Sequence, residues 1–318
     1  MRNKGRIVIS ILIAAITAIT FVLGSMVFRS NLKQTKQNTI GVELADFIYN
    51  TEYSMRFGKQ IETFYGMDDL LETEKNQFSD IQDIYIVSDN NSILFKTASE
   101  EPAAQICSIT AGENISSENS LYCMYELSSN ARIMVRTNQQ DIIDKMKDYI
   151  SNTAIKASIG LALSLLVVLS FSFIIKKEKT ASIFAAVILI SWTVVFGTMI
   201  GIDGYKAYNK SLNTVYDSIE FSINSDFERL EVLGVERINN VEEYLKRYTD
   251  MIPEVDEIQI DGKKIECISS DSYARKVLMD FVFQTVLLLT FSLLIFIEYQ
   301  IYSNNNRTND KAVRDGTN

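Results

Sequence analysis

Apolar positions follow two different periods along this 318-residue chain. Four blocks are apolar almost throughout: 7–28, 157–175, 181–202 and 277–297. None contains a proline, and Asp280 is the only charge inside any of them. About 20 such residues cross a bilayer as helix. The pattern therefore predicts a multi-pass α-helical membrane protein with spans at 7–28, 154–175, 181–202 and 277–297. Between the blocks the period changes. Residues 78–97, FSDIQDIYIVSDNNSILFKT, set apolar Ile81, Ile84 and Ile86 before the polar Asp89-Asn90-Asn91, the pattern of a strand, a tight turn and a returning strand. Residues 120–138, SLYCMYELSSNARIMVRTN, alternate in the same way around a turn at 128–130. A third hairpin is predicted in IPEVDEIQIDGKKIECISS, from Ile252.

Helical spacing precedes the first and third hairpins. Residues 38–66 carry Val42, Phe47, Ile48, Tyr53, Phe57, Ile61 and Phe64 at steps near three and four, and 205–234 match them in length and in lacking proline. Shorter acidic helices are predicted at 67–77 and 240–251, the second closed by Pro253. A shift of 174 residues superposes these features. Ile61 falls on Val235, Asp68-Asp69 on Glu242-Glu243, Leu71 on Leu245, and Ile84 and Ile86 on Ile258 and Ile260. The same shift carries block 7–28 onto 181–202. The chain thus reads as two copies of span–lobe–span. The second lacks the 120–138 hairpin, and because two strands make a poor independent sheet, its lobe is expected to be mostly helical or to lean on the first.

Charge supplies an orientation. The hexapeptide 1–6 has three basic residues and no acid, and KKEKT at 176–180 has three bases and one acid. Segment 29–153 has 11 basic against 19 acidic residues, and 203–276 has 10 against 16. Short basic segments stay inside. Both termini and 176–180 are therefore expected in the cytoplasm, with lobes 29–153 and 203–276 outside and 298–318 a disordered cytoplasmic tail. Block 7–28 exceeds the usual apolar core of a signal peptide and lacks a small-residue cleavage pattern after it, so it reads as a retained anchor.

Candidate chemistry is sparse. The chain has no histidine and three cysteines, which leaves no zinc ligand set. No nucleophile–base pair or phosphate loop occurs, so neither an enzyme nor a cofactor is expected, and the acidic lobes do not suit nucleic acid. Tyr85, Tyr122, Arg132 and Arg136 share one parity on their strands. An arginine beside a tyrosine on a covered sheet face suits a ligand carboxylate through paired hydrogen bonds; the bland reading is a wet face. Cys107 and Cys123 leave open either a disulfide or two buried thiols. Asp68-Asp69 and Glu242-Glu243 suit helix starts. Gly197 and Gly201 form a G-x-x-x-G pattern for close helix packing, within the bundle rather than at a dimer seam. Asp280 is either an interfacial anchor or a partner for Lys156.

The order of anchor, long helix, short helix, a hairpin of the form IxxIYIVSDNNSILF, second hairpin and exit helix resembles the extracytoplasmic Cache sensor domain, a PAS-like module of bacterial receptors. The resemblance covers about 31–153, and 203–276 through its helices and hairpin. It implies an α+β outer domain that binds a small ligand on the covered sheet face and signals down its exit helix. Such receptors usually continue into a cytoplasmic output module, whereas here the inner segments are short, so the signal would pass to a separate protein partner in the membrane or cytoplasm. The rival expectation is a structural or accessory subunit of a transporter or cell-envelope complex whose outer domains dock a protein.

Overall fold

The computed structural model describes residues 2–56, 58, 60–128, 130–174, 178–232, 241–261 and 264–315. Part of the internal repeat (235–240), the first two residues of KKEKT and Gly262 of the third turn lie outside the described residues. Four long helices dominate: α1 (Arg2–Glu43), α5 (Gln140–Ile174), α6 (Glu178–Val232) and α8 (Asp271–Asp315). All four are long and apolar enough to cross a membrane. A helix closes its own backbone hydrogen bonds, which is what an apolar solvent demands. α8 runs past Ile297 to Asp315, through the segment expected to be disordered; neither proline nor glycine interrupts 298–315.

The chain divides into two compact units, one of residues 1–28, 147–206 and 275–318, the other of 29–146 and 207–274. In the first unit, the third span (within α6) touches all the others. Trp192 donates through Nε1 to Thr17 Oγ1 of the first span at 2.9 Å and lies against Gly160 of the second. Gly197 and Gly201 face α8: a methyl group on Gly197 would stand 2.8 Å from Thr285, and one on Gly201 3.5 Å from Phe281. Gly204 extends this seam against the Phe281 ring. Without a hydrophobic drive between helices in lipid, close backbone approach of this kind is what holds spans together. Lys156 pairs with Asp203 at 2.6 Å rather than with Asp280, which is exposed. Of the two readings of Asp280, the partnership with Lys156 is corrected on that ground, since Asp203 meets the ammonium.

The second unit holds a five-stranded antiparallel sheet of order β2-β1-β5-β4-β3. Its strands are β1 (Ile81–Ser88), β2 (Ile93–Lys96), β3 (Asn114–Ser117), β4 (Ser120–Ser128) and β5 (Ala131–Asn138). Strand β3 and a short helix α4 (Ala104–Cys107) were not legible in the hydrophobic pattern. The helical stretch expected over 38–66 divides at Leu44 into α1 and α2 (Ala45–Arg56) and ends at Arg56, where Gly58 takes a φ of 86° that no helix continues; α3 occupies Met67–Gln77 as expected. Ile84, Ile86, Leu121, Cys123, Ile133 and Val135 are wholly or almost wholly buried on one sheet face. Tyr125, on that same face, donates to Gln37 O of α1 at 2.5 Å.

The rest of the unit comes from residues 207–274, read as the second copy: the outer part of α6, α7 (Val241–Met251), and the hairpin β6 (Val255–Asp261) and β7 (Lys264–Ser269). Val215, Ile219, Ile223, Tyr248, Ile252, Val255, Ile258 and Ile265 form one core with Val42 and Ala45 of the first copy. The two-stranded lobe does lean on the first. Burying its apolar face against α1 and α2 supplies the packing that two strands cannot supply alone.

Candidate functional site

The face of the sheet opposite Ile84 and Ile86 carries the residues singled out by parity. Tyr85, Val87, Tyr122, Met124 and Met134 are buried there with Ile106 and Cys107, and Ile93, Ala98, Ile109 and Ile115 pack against them. The middle of this face is therefore dry, while Arg132 and Arg136 on it stay partly exposed. The irregular segment around α4 closes over it, and its few apolar residues at no regular spacing hid this from the hydrophobic pattern.

The four candidates fall into two groups. Asp83 lies opposite Arg136 in the β1–β5 register, and Tyr122 opposite Arg136 in β4–β5. Arg136 Nη1 donates to Asp83 Oδ2 at 3.3 Å and its Nε to Ser120 Oγ at 3.0 Å. Lys75 of α3 also reaches Asp83, at 3.4 Å. Burial raises the Tyr85 and Tyr122 hydroxyls above their ordinary pKa; the Asp83 charge adds to both, and Arg136 opposes it. Both hydroxyls stay protonated at neutral pH as hydrogen-bond donors. Arg136 already has a carboxylate, so its capacity for a ligand carboxylate is taken up within the protein.

Arg132 is different. It stands four residues away along β5, about 13 Å at strand rise. Its Nη1 donates to Ile109 O at 2.6 Å, and its Nη2 to Asn91 Oδ1 at 2.6 Å and Ser88 O at 3.3 Å. Asn91 has φ of 66°, the left-handed conformation asparagine tolerates, and this presents its amide oxygen toward the guanidinium. All of these acceptors are neutral. Arg132 thus clamps the β1–β2 turn to the covering segment, with Glu126 opposite it in the β4–β5 register.

Cys107 and Cys123 are free thiols, both buried. The disulfide left open by their spacing is absent because they occupy opposite sheet faces. Cys107 packs with Tyr122 and Met124, while Cys123 follows the parity of Leu121 and Tyr125. Burial pushes the Cys123 thiol up to about 12 and also raises Cys107, so neither is a ready thiolate. Asp68 and Asp69 lie in the first turn of α3, as a helix dipole favours. Among the described residues no group of three metal-ligating side chains gathers.

Two polar clusters escaped the sequence reading. Arg247 of α7 pairs with Asp46 of α2 and, at 3.0 Å, with Asp226 of α6. Its guanidinium stacks 3.9 Å from the Tyr244 ring centroid, and Tyr244 donates to Asp226 at 2.7 Å. The other cluster is Lys36, Glu43 and Asp80. The only signal for it was an acid and a base seven residues apart on one face of α1. No family model matches the chain, and neither a curated protein nor a solved structure does.

Proposed function

We propose that the chain is a membrane-anchored sensor, or sensor-like accessory protein, whose two lobes lie outside the cell. It binds a small anionic ligand or a partner there and passes the event through its helices to a separate protein. The observation that carries this reading is helix continuity. α1, α5, α6 and α8 each run unbroken between an apolar span and the sheet-bearing unit, so a displacement at the sheet has rigid elements to travel along. Helices, a first hairpin, a later β4–β5 hairpin and an exit helix follow one another over residues 31–153, with α4 and β3 between the hairpins, and that order supports the resemblance to a Cache-like, PAS-like outer domain. Arg132, whose hydrogen bonds among the described residues go to neutral acceptors, is the favoured anchor for a carboxylate, with Glu126 opposite it in register as the competing charge. Arg136, Tyr85 and Tyr122 then shape the face beside it.

The test is a thermal-shift screen of the full chain in detergent against amino acids, dicarboxylates and other small anions, repeated with Arg132→Ala. A ligand at 100 times its Kd stabilises by about 2.7 kcal/mol, a readable shift that the variant loses. If no compound class moves the melting curve, the small-ligand reading fails. One observation favours the rival, a structural or accessory subunit whose lobes dock a protein. Tyr65 is 99% exposed on a loop beside Gly66 at φ of 78°, a protruding aromatic of the kind that anchors interfaces.

A further inference from the structure

Glu43 is the last residue of α1, and Leu44 alone separates it from α2. The helix hydrogen bonds continue across the junction, Leu44 N to Ile40 O and Ile48 N to Leu44 O, both at 3.0 Å. The junction is therefore an irregularity within one long rod. The apolar block of that rod ends at Phe28, fifteen residues earlier, and Glu43 belongs to the sheet-bearing unit. Two turns back along the rod lies Lys36, whose side chain is only 10% exposed and which is ion-paired with Asp80, just before β1. Glu43 Oε2 is enclosed and accepts no hydrogen bond from the described residues.

The groups facing Glu43 account for this. Lys36 of α1 already serves Asp80. Tyr125 of β4 spends its hydroxyl proton on Gln37 O at 2.5 Å, and Cys123 beyond it is a neutral thiol. Nearby on α2, Asp46 is engaged by Arg247 of α7. Two carboxylates thus draw on one ammonium: Asp80 from a side chain 54% exposed, and Glu43 through an enclosed one. With both ionised the cluster holds a net negative charge, screened by water at Asp80, and an enclosed, unsatisfied oxygen on Glu43 that is costly to keep charged. A proton on Glu43 removes both defects and turns the carboxyl into a donor within its own cluster.

We infer that Glu43 is a proton-binding site that sets how firmly the α1–α2 junction packs on the sheet. The proton comes from water, and no electron moves. The inference does not rest on the ligand reading of Arg132. Burial first, then the Asp80 charge, hold the Glu43 carboxyl up at about 7 against its ordinary 4.5, with Lys36 opposing. A pKa raised by folding means that the native state retains the proton more tightly than the unfolded chain. The stabilisation is complete below about 4.5, and is lost as pH rises through about 7.

The experiment melts the full chain in detergent from pH 4.5 to 8, as wild type, Glu43→Gln and Asp80→Asn. Glu43→Gln mimics the protonated form. It is expected to match the wild type near pH 4.5, to melt progressively above it up to about pH 7, and to keep a constant lead beyond. Asp80→Asn removes the second carboxylate and moves the levelling-off to lower pH. Hydrogen exchange over residues 36–48 gives an independent reading: beyond the intrinsic pH effect, opening grows with pH in wild type and stays flat in Glu43→Gln. Parallel melting curves for wild type and Glu43→Gln across the range would overturn the inference. So would a Glu43→Gln protein less stable than wild type at pH 8, or exchange over 36–48 that is indifferent to the substitution.

Discussion

Replacing Arg247 with methionine tests whether the second lobe is held by the first. The guanidinium is 10% exposed and lies between Asp46 of the first copy and Asp226 of the second, whose side chains are 28% and 14% exposed. Removing one partner from an enclosed ion pair costs roughly 3–5 kcal/mol, because the charges left behind remain desolvated. The stacked Tyr244 ring, 3.9 Å away, accounts for about 0.5–2 kcal/mol of interaction that belongs to the same cluster and does not add in full. The partial exposure of Asp46 draws the expectation toward the lower end, about 3 kcal/mol. At 1.4 kcal/mol per tenfold, that loss speeds local opening by on the order of a hundredfold. Hydrogen exchange resolved along the chain is the assay. Amides of β6 and β7 should exchange about a hundredfold faster in Arg247→Met, while those of β1 and β5 change far less. An exchange rate in 255–269 within about fivefold of wild type would refute the cross-brace. So would equal loosening of both hairpins, which would mean that Arg247 stabilises the whole unit rather than the join.

Other expectations follow from single contacts. Lys96→Met breaks only the exposed Lys96–Glu101 pair at 2.9 Å and should change stability by less than about 1 kcal/mol, a control measured in the same exchange experiment. Ile86→Ala, at a fully buried position, should cost about 2–5 kcal/mol by thermal melting. Gly197→Leu drives a side chain into Thr285 and should cost about 1–3 kcal/mol, seen as a lower melting temperature or loss of a monodisperse particle; an unchanged particle would deny the close α6–α8 seam. Thiol labelling of the folded protein should leave Cys107 and Cys123 unmodified with or without reductant, since both are buried and unpaired; labelling that appears only after reduction would reveal a bridge.

Much of the frame was legible because it rests on local periodicity. Four proline-free apolar blocks became four long helices, the short helix 67–77 appeared within its expected limits, and parity put Ile84 and Ile86 on one face and Tyr85 on the other. What escaped depends on which faces meet. The burial of Tyr122 was not legible because the covering segment contributes only scattered Ile106, Cys107 and Ile109, with no period to mark it as a lid, while Arg136 beside it stays 36% exposed. Arg136 looked free to bind a carboxylate because nothing local announces that a bulge brings Asp83 opposite it. Arg247 and Asp46 are two hundred residues apart, and no pattern within either helix predicts their pairing. Lys156 looked suited to Asp280 by depth along their helices; in the packed bundle Asp203 is its partner.

The central claim is that both lobes lie on one side of the membrane, outside, with the short basic segments inside. Single-cysteine variants at Asp89, Lys246 and Lys179, made in a background lacking the native cysteines, test it in intact cells with a maleimide that does not cross membranes. The account predicts that Asp89→Cys and Lys246→Cys react from outside while Lys179→Cys reacts only after permeabilisation. Labelling of Lys179→Cys in intact cells, or opposite behaviour of Asp89→Cys and Lys246→Cys, would contradict it.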